Sequence, residues 1–443
     1  MTSPGDLHRA YLQAFAASAG RAADRFPAAL DALRRDALDR FGAMGLPSSR
    51  DEQWRHTRLP ALLRRPLPLL ATPATVSLPA ASLRAPALAG PRSALLVFVN
   101  GRFAPELSEL SALPAHATAG SLAAALAAGD ERVIRHLGRH AEYGDEPFTA
   151  LNTALFDDGA FLCVAPQGVL EAPVHVLFAA RPDAEPAMTN PRLLLLAGGG
   201  ARLAVLEAYL SCGSGPYVTN AVVEAVLEEG AALEHCRLEH EEAAAAHLSD
   251  LHATVAAGAR FRSTCITLAG QLTRNGVRVL LAGEGASATL NGLFLTGGQQ
   301  HVDNHTWIEH RAPGTVSQEC YKGILAGRST GVFCGRILVQ PDAQRTDAYQ
   351  ASRALLLADT ATVRLQPELE IHADDVKCAH GAAVGQLDAD AVFYLRTRGL
   401  DEWQARLVLT QAFAAQVVQQ VEVPGLREPV ERQLAARLAS IGA

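Results

Sequence analysis

The sequence predicts a mainly β protein: a parallel β-helix (solenoid) core with α-helical N- and C-terminal regions. Three observations carry this. A glycine turn recurs at Gly200, Gly230, Gly258, Gly285 and Gly314, at intervals of 30, 28, 27 and 29 residues. From about 151 to 366, short apolar or alternating runs follow one another with almost no helical interruption. Helical spacing of apolar residues is confined to the two ends. A strand–turn–strand unit of near-constant length is the mark of a stacked repeat. An antiparallel sandwich with regular hairpins is the competing arrangement for the same pattern.

Taken in order, the elements begin with helix. Over 10–41, Leu12, Phe15, Phe26, Leu30, Leu33, Ala37 and Phe41 recur at three- and four-residue steps. Gly42, Gly45 and Pro47 break the pattern. Asp51 and Glu52 put carboxylates in the first turn of a new helical start. Residues 60–91 are rich in Pro, Ala and Leu and have no period. A short strand over 95–100 ends in the turn pair Asn100-Gly101, and 121–140 returns to helical spacing.

Strands are then expected at 161–164, 174–178, 192–196, 218–226, 277–281 and 332–339, among others. Past 366 the texture turns helical. Asp388 caps a helix stopped by Gly399, and Asp401 caps another stopped by Pro424-Gly425. A third helix over 428–441 carries Val430, Leu434, Leu438 and Ile441 on one face. The expected organisation is 1–150 mostly helical, 151–366 β-helix and 367–443 helical. Helical ends would blunt the edges that a solenoid otherwise exposes.

Composition narrows the function. The chain has 443 residues, 49% of them hydrophobic and 19% charged, with a net charge of −7. Wholesale disorder is excluded, and the acidic balance argues against a nucleic-acid binder. No apolar run reaches the roughly 18 residues of a membrane span. The first ten residues include Asp6 and Arg9 and no apolar h-region, so no secretory signal is expected. Seven cysteines, an odd number without any CxxC, do not form a disulfide framework or a zinc ribbon. A reducing cytoplasm is the expected compartment.

The densest polar cluster is 370–381, with Glu370, His372, Asp374, Asp375, Cys378 and His380. Cys378 and His380 are two apart, so on extended chain they face one way. A thiolate beside an imidazole suits iron or zinc, or a Cys–His nucleophile pair whose cysteine Lys377 would help to ionise. The bland alternative is a polar loop leaving the solenoid. A second cluster, His301, Asp303, His305 and, further on, His310, reads as either a metal site or a polar ladder on a strand face. His235, Cys236 and His240 read as scattered strand residues. No Walker A loop and no HExxH occurs. The string 327–331 matches GxSxG, but a strand rather than a helix follows the serine, so it reads as a turn.

A family resemblance rests on the C-terminal third. Its carriers are Tyr-Lys-Gly-Ile-Leu at 321–325, Gly-Val-Phe-Cys-Gly-Arg-Ile-Leu-Val at 331–339 and Ala-Gln-Arg-Thr-Asp-Ala-Tyr-Gln at 343–350. Ser-Arg-Ala-Leu-Leu-Leu at 352–357 follows. Then come the long block at 369–388 containing Val-Lys-Cys-Ala-His-Gly, and Phe-Tyr-Leu-Arg-Thr-Arg-Gly at 393–399. Weaker matches are Glu-Gln-Trp-Arg-His-Thr at 52–57 and Asn-Thr-Ala-Leu-Phe-Asp-Asp-Gly at 152–159. On these residues the chain resembles the SufB/SufD family of the SUF iron–sulfur cluster assembly machinery, in its SufD form.

The resemblance implies a right-handed parallel β-helix. It also implies a non-catalytic scaffold that pairs with a SufB-like subunit, docks a SufC-like ABC ATPase through C-terminal helices and binds no nucleotide itself. A homodimer in isolation is a further possibility. The family's Cys-x-His falls on Cys378 and His380, which implies ligands to iron or a transient iron–sulfur cluster at the subunit interface. His372 stands where the family more often has an aromatic, and Ala379 where Ser or Thr is common. The expected anchor pool for the ATPase is Phe393, Tyr394, Leu395, Trp403 and Leu407. Two other functions compete: a Cys–His nucleophile enzyme and a β-helix carbohydrate-active enzyme. The latter needs paired carboxylates on one face, whereas the neighbours Asp374 and Asp375 point opposite ways on extended chain.

Overall fold

The computed structural model describes residues 9–13, 28–64, 67–70, 91–182, 185–268 and 270–441. The expected helical stretch over 10–41 is seen as helix over 9–13 and Ala28–Met44; Phe15 and Phe26 lie outside the described residues, as do 71–90 of the Pro-rich segment.

From Ala160 onward the chain alternates between two sheets of ten and nine strands in line. Nearly every neighbour is parallel and in register. Ala232–His240, for example, lies between Arg202–Ser211 and Arg260–Thr267. Stacking sheet on sheet this way makes a parallel β-helix, and the sandwich alternative falls away. The five recurring glycines sit at equivalent corners. Gly200, Gly230, Gly258, Gly285 and Gly314 have φ of 69°, 70°, 62°, 70° and 67°. The amide N–H of each donates to a carbonyl one coil on, as Gly230 does to Ala257. A Cβ is costly in that backbone region, which explains why glycine recurs there.

Inside the solenoid, one apolar cluster runs along the axis from Ala94, Leu96 and Phe98 to Ile308, Tyr321 and Phe333. Outward-facing strand residues form other clusters, and these take the helices. The helices Glu402–Val418 and Arg427–Ser440 bury Ala414, Val417, Val430, Leu434 and Leu438 against Leu293, Leu295 and Ile324. Lys322 Nζ donates to the Phe413 carbonyl at 2.7 Å and lies 4.2 Å from that ring's centroid. Asp401 and Gln404 form a reciprocal capping box. Asp388 caps Ala389–Thr397, and Gly399 ends that segment at φ 96°.

Two expectations need adjustment. The C-terminal helices do not close the end of the solenoid, because their apolar stripe matches the outer face of the sheet rather than its edge. The last strands, Thr362–Ile371 and Val376–Gly385, each terminate a sheet and pair on one side only. Strand pairing also crosses both limits read from sequence. Ala94–Val99 pairs in parallel with Val174–Ala180, and the final strand reaches Gly385. The Asn100-Gly101 turn holds both residues at positive φ, 53° and 80°, and folds back to Arg102–Phe103.

Candidate functional site

Cys378 and His380 lie on Val376–Gly385, at the open mouth of the solenoid. Register places Cys378 beside Ala348 and His380 beside Gln350. Ala348 and Gln350 are fully buried and point inward, so the two site residues continue lumen-facing columns into solvent. Cys378 is half-buried against Ile337, Ala348 and Leu369, whereas His380 is exposed. Cys378 and His380 are therefore on a strand, whereas His372, Asp374 and Asp375 of the same cluster lie in the loop between the last two strands.

The electrostatics of Cys378 run against activation. Burial pushes its thiol above the ordinary range, the Asp347 carboxylate adds to this, and a backbone hydrogen bond at Ala348 only partly offsets it. The expected help from Lys377 is absent, because the next residue along a strand points to the opposite face, where Lys377 is exposed. A thiol held protonated is a poor nucleophile. A metal that binds the sulfur displaces that proton into solvent.

The other candidate clusters are engaged elsewhere. His301 Nε2 meets Thr57 Oγ1 at 2.8 Å, and the same hydroxyl donates to Asp303 Oδ2 at 2.5 Å. Asp303 also pairs with Arg274, and with His305 Nε2 at 2.9 Å. These residues share one outer face as expected, and they make the polar ladder. His310 points the other way; Thr315 and Ser317 hydroxyls take both ring nitrogens at 2.8 and 2.9 Å, and burial pushes its pKa down to about 4. His372 Nε2 bonds Glu370 Oε1 at 3.0 Å. Ser329 is fully buried in its turn and donates to the Ala326 carbonyl at 2.8 Å. Among the described residues no three His, Cys, Asp or Glu side chains converge to hold a metal ion. Cys378 and His380 can thus supply only part of a coordination shell, and their donor chemistry, thiol plus imidazole on one face, fits iron.

Sequence reasoning missed a polar seam inside the lumen. Glu207 accepts from His235 Nε2 at 2.8 Å and from Arg237 Nε at 3.0 Å. Arg237 reaches Ser249, and Ser249 donates to Asn275 Oδ1 at 2.6 Å. His235 is thus a network member, not a scattered residue. Only the register, which sets these residues 26 to 30 positions apart from coil to coil, brings these side chains together, so no local motif could reveal them.

On the helical side, Phe393, Tyr394 and Trp403 are 67%, 56% and 47% exposed. Leu407, also expected in that pool, packs inward against the sheet instead.

The comparisons agree with this architecture. Residues 179–413 match the SUF system FeS cluster assembly SufBD core domain, and 6–176 match the SufBD N-terminal region. An iron–sulfur cluster assembly SufBD family protein of Synechocystis sp. is 32% identical over 412 residues, covering 91% of this chain and 90% of its own. The iron–sulfur cluster assembly protein SufD of Escherichia coli is 29% identical over 399 residues, covering 89% and 90%. A SufBD family protein of Mycobacterium leprae is 33% identical over 224 residues, about half of this chain. The chain belongs to the SufBD family of iron–sulfur cluster assembly proteins.

Proposed function

We propose that this chain is a SufD-type scaffold subunit, without turnover of its own. Its open solenoid end pairs with a SufB-like subunit, and there His380, assisted by Cys378, ligates the iron or nascent iron–sulfur cluster that the complex builds. The cluster is cargo rather than a resident cofactor. The single observation that carries this reading is the location of the Cys-x-His pair. It lies on the last strand, on the lumen-facing side, beside a row of unpaired backbone donors and acceptors. Such an edge favours strand addition by another chain. The half-set of ligands calls for partner residues to complete it.

An ABC-type ATPase docks on the exposed face of Ala389–Thr397 and the start of Glu402–Val418, with Phe393, Tyr394 and Trp403 as anchors. ATP use then comes from that partner, in keeping with the lack of a phosphate loop in this chain. All seven cysteines are free thiols, which suits a reducing cytoplasm. No helix of the described residues is long and apolar enough to cross a membrane.

The test is co-purification with the neighbouring subunits, followed by measurement of iron and acid-labile sulfide per complex. His380→Ala is expected to assemble normally, to carry less iron and to fail in complementing a strain lacking the native subunit. Wild-type iron content with full complementation would refute the ligand role.

A further inference from the structure

The lumen column that ends at His380 carries two polar residues directly behind it. Glu319 lies in register with Gln350, and Gln350 with His380, each one strand apart. Neighbouring strands are about 4.8 Å apart, so successive side chains on one face touch. Glu319 and Gln350 are 2% and 0% exposed.

The Gln350 amide is held in one orientation. Its Nε2 donates to Glu319 Oε2. It also lies against the bare backbone of Gly335, where a Cβ would come within 2.2 Å of Nε2 and 2.8 Å of Cδ. An amide's nitrogen and oxygen diverge from its trigonal carbon and point in different directions. With the nitrogen aimed back at Glu319, Oε1 turns away from it, and the next residue in register on that side is His380. Oε1 is buried and accepts no hydrogen bond from any group, the exposed His380 ring included. A buried carbonyl left so is costly. The imidazole N–H of His380 is the donor that the column offers it.

We infer that Gln350 is a positioning residue for His380: with the exposed ring turned in over the column, Oε1 accepts the N–H of one ring nitrogen and leaves the other, with its lone pair, facing outward to metal. Glu319 acts one step further back by fixing the amide. Metal-binding histidines commonly have their second nitrogen held this way. The inference rests on the proposed ligand role of His380, but it is tested without metal.

The full-length chain labelled with 15N-histidine is the sample. A ring N–H proton appears in a 1H–15N correlation spectrum only when a hydrogen bond protects it from exchange with water. Wild type is expected to show one such signal that His380→Ala removes. Gln350→Met and Glu319→Leu are each expected to lose the same signal while keeping that of His310, whose ring is bonded within the solenoid and so reports the fold. In the complex, Gln350→Met is expected to bind iron about 10-fold more weakly or worse. Absence of the His380 signal in wild type overturns the inference, whether or not the variants fold, and so does its survival in Gln350→Met. A protected N–H in wild type with unchanged iron in His380→Ala would keep the hydrogen bond and sink the ligand role. Lost iron in His380→Ala with no protected N–H would do the reverse.

Discussion

Arg237 donates its Nε to the Glu207 carboxylate at 3.0 Å, wholly inside the solenoid and between strands one coil apart. Burial alone would raise the Glu207 carboxyl. The Arg237 charge and the His235 and Tyr209 hydrogen bonds outweigh it and hold the pKa near 2. Removing one partner strands the other charge in the lumen. Glu207→Ala is expected to lower stability by about 3–5 kcal/mol, and a Glu207→Met/Arg237→Met double variant by much less. Urea titrations of the three proteins decide it. Since the folded pKa lies below the unfolded value of 4.5, wild-type stability from this group is full above pH 4.5 and lost as pH falls toward 2.

Glu319 has the opposite sign. Burial raises its pKa from 4.5 to about 7, despite the hydrogen bond from Gln350. A raised carboxyl costs nothing below the unfolded pKa and destabilises progressively as pH rises from 4.5 through 7. Glu319→Gln removes the titration. Its stability relative to wild type is expected to improve between pH 5 and pH 8.5, by roughly 2–3 kcal/mol. A pH-independent difference in melting between the two proteins would refute this.

Cys378 is expected to alkylate no faster than a free cysteine at pH 7, with its rate still climbing above pH 9, because burial and Asp347 favour the thiol. Mass-spectrometric mapping after timed iodoacetamide exposure gives the rate. Fast, stoichiometric labelling of Cys378 at neutral pH would revive the nucleophile reading.

The exposed rings offer the cleanest separation of docking from folding. Phe393→Ala and Trp403→Ala remove side chains that lie mostly in solvent. Each is expected to shift stability by less than about 0.5 kcal/mol. Each is also expected to weaken ATPase binding by 1 kcal/mol or more, about fivefold. Leu407→Ala, which empties a packed site, is expected to show the reverse balance. Calorimetric titration with the ATPase subunit, beside thermal melts, measures both quantities.

Much of this molecule is legible before folding. The corner glycines announce themselves because a positive φ admits few other residues, and all five adopt it. Asp388, Asp401 and Gly399 mark helix ends through local hydrogen bonding, and the third helix buries Val430, Leu434 and Leu438 as its spacing requires. Cys378 and His380 were readable as a pair, since two residues on a strand share a face. What surrounds them was not. Gln350 and Glu319 stand 30 and 61 positions before His380, and only the coil register makes them neighbours. The thiol's raised pKa is likewise a property of burial, to which the charge of Lys377 next door gave the wrong sign. The exposed end escaped the sequence because apolar spacing shows that a helix packs but not on what.

That open end has a consequence for the supply of the chain in a cell. The strand Val376–Gly385 carries a ready template for any extended segment that meets it, and Val384 within it is 53% exposed. A copy whose edge is left uncovered is prone to self-stacking and open to proteases. Any partner that covered this edge would therefore have to be made at a matching rate for the chain to stay protected.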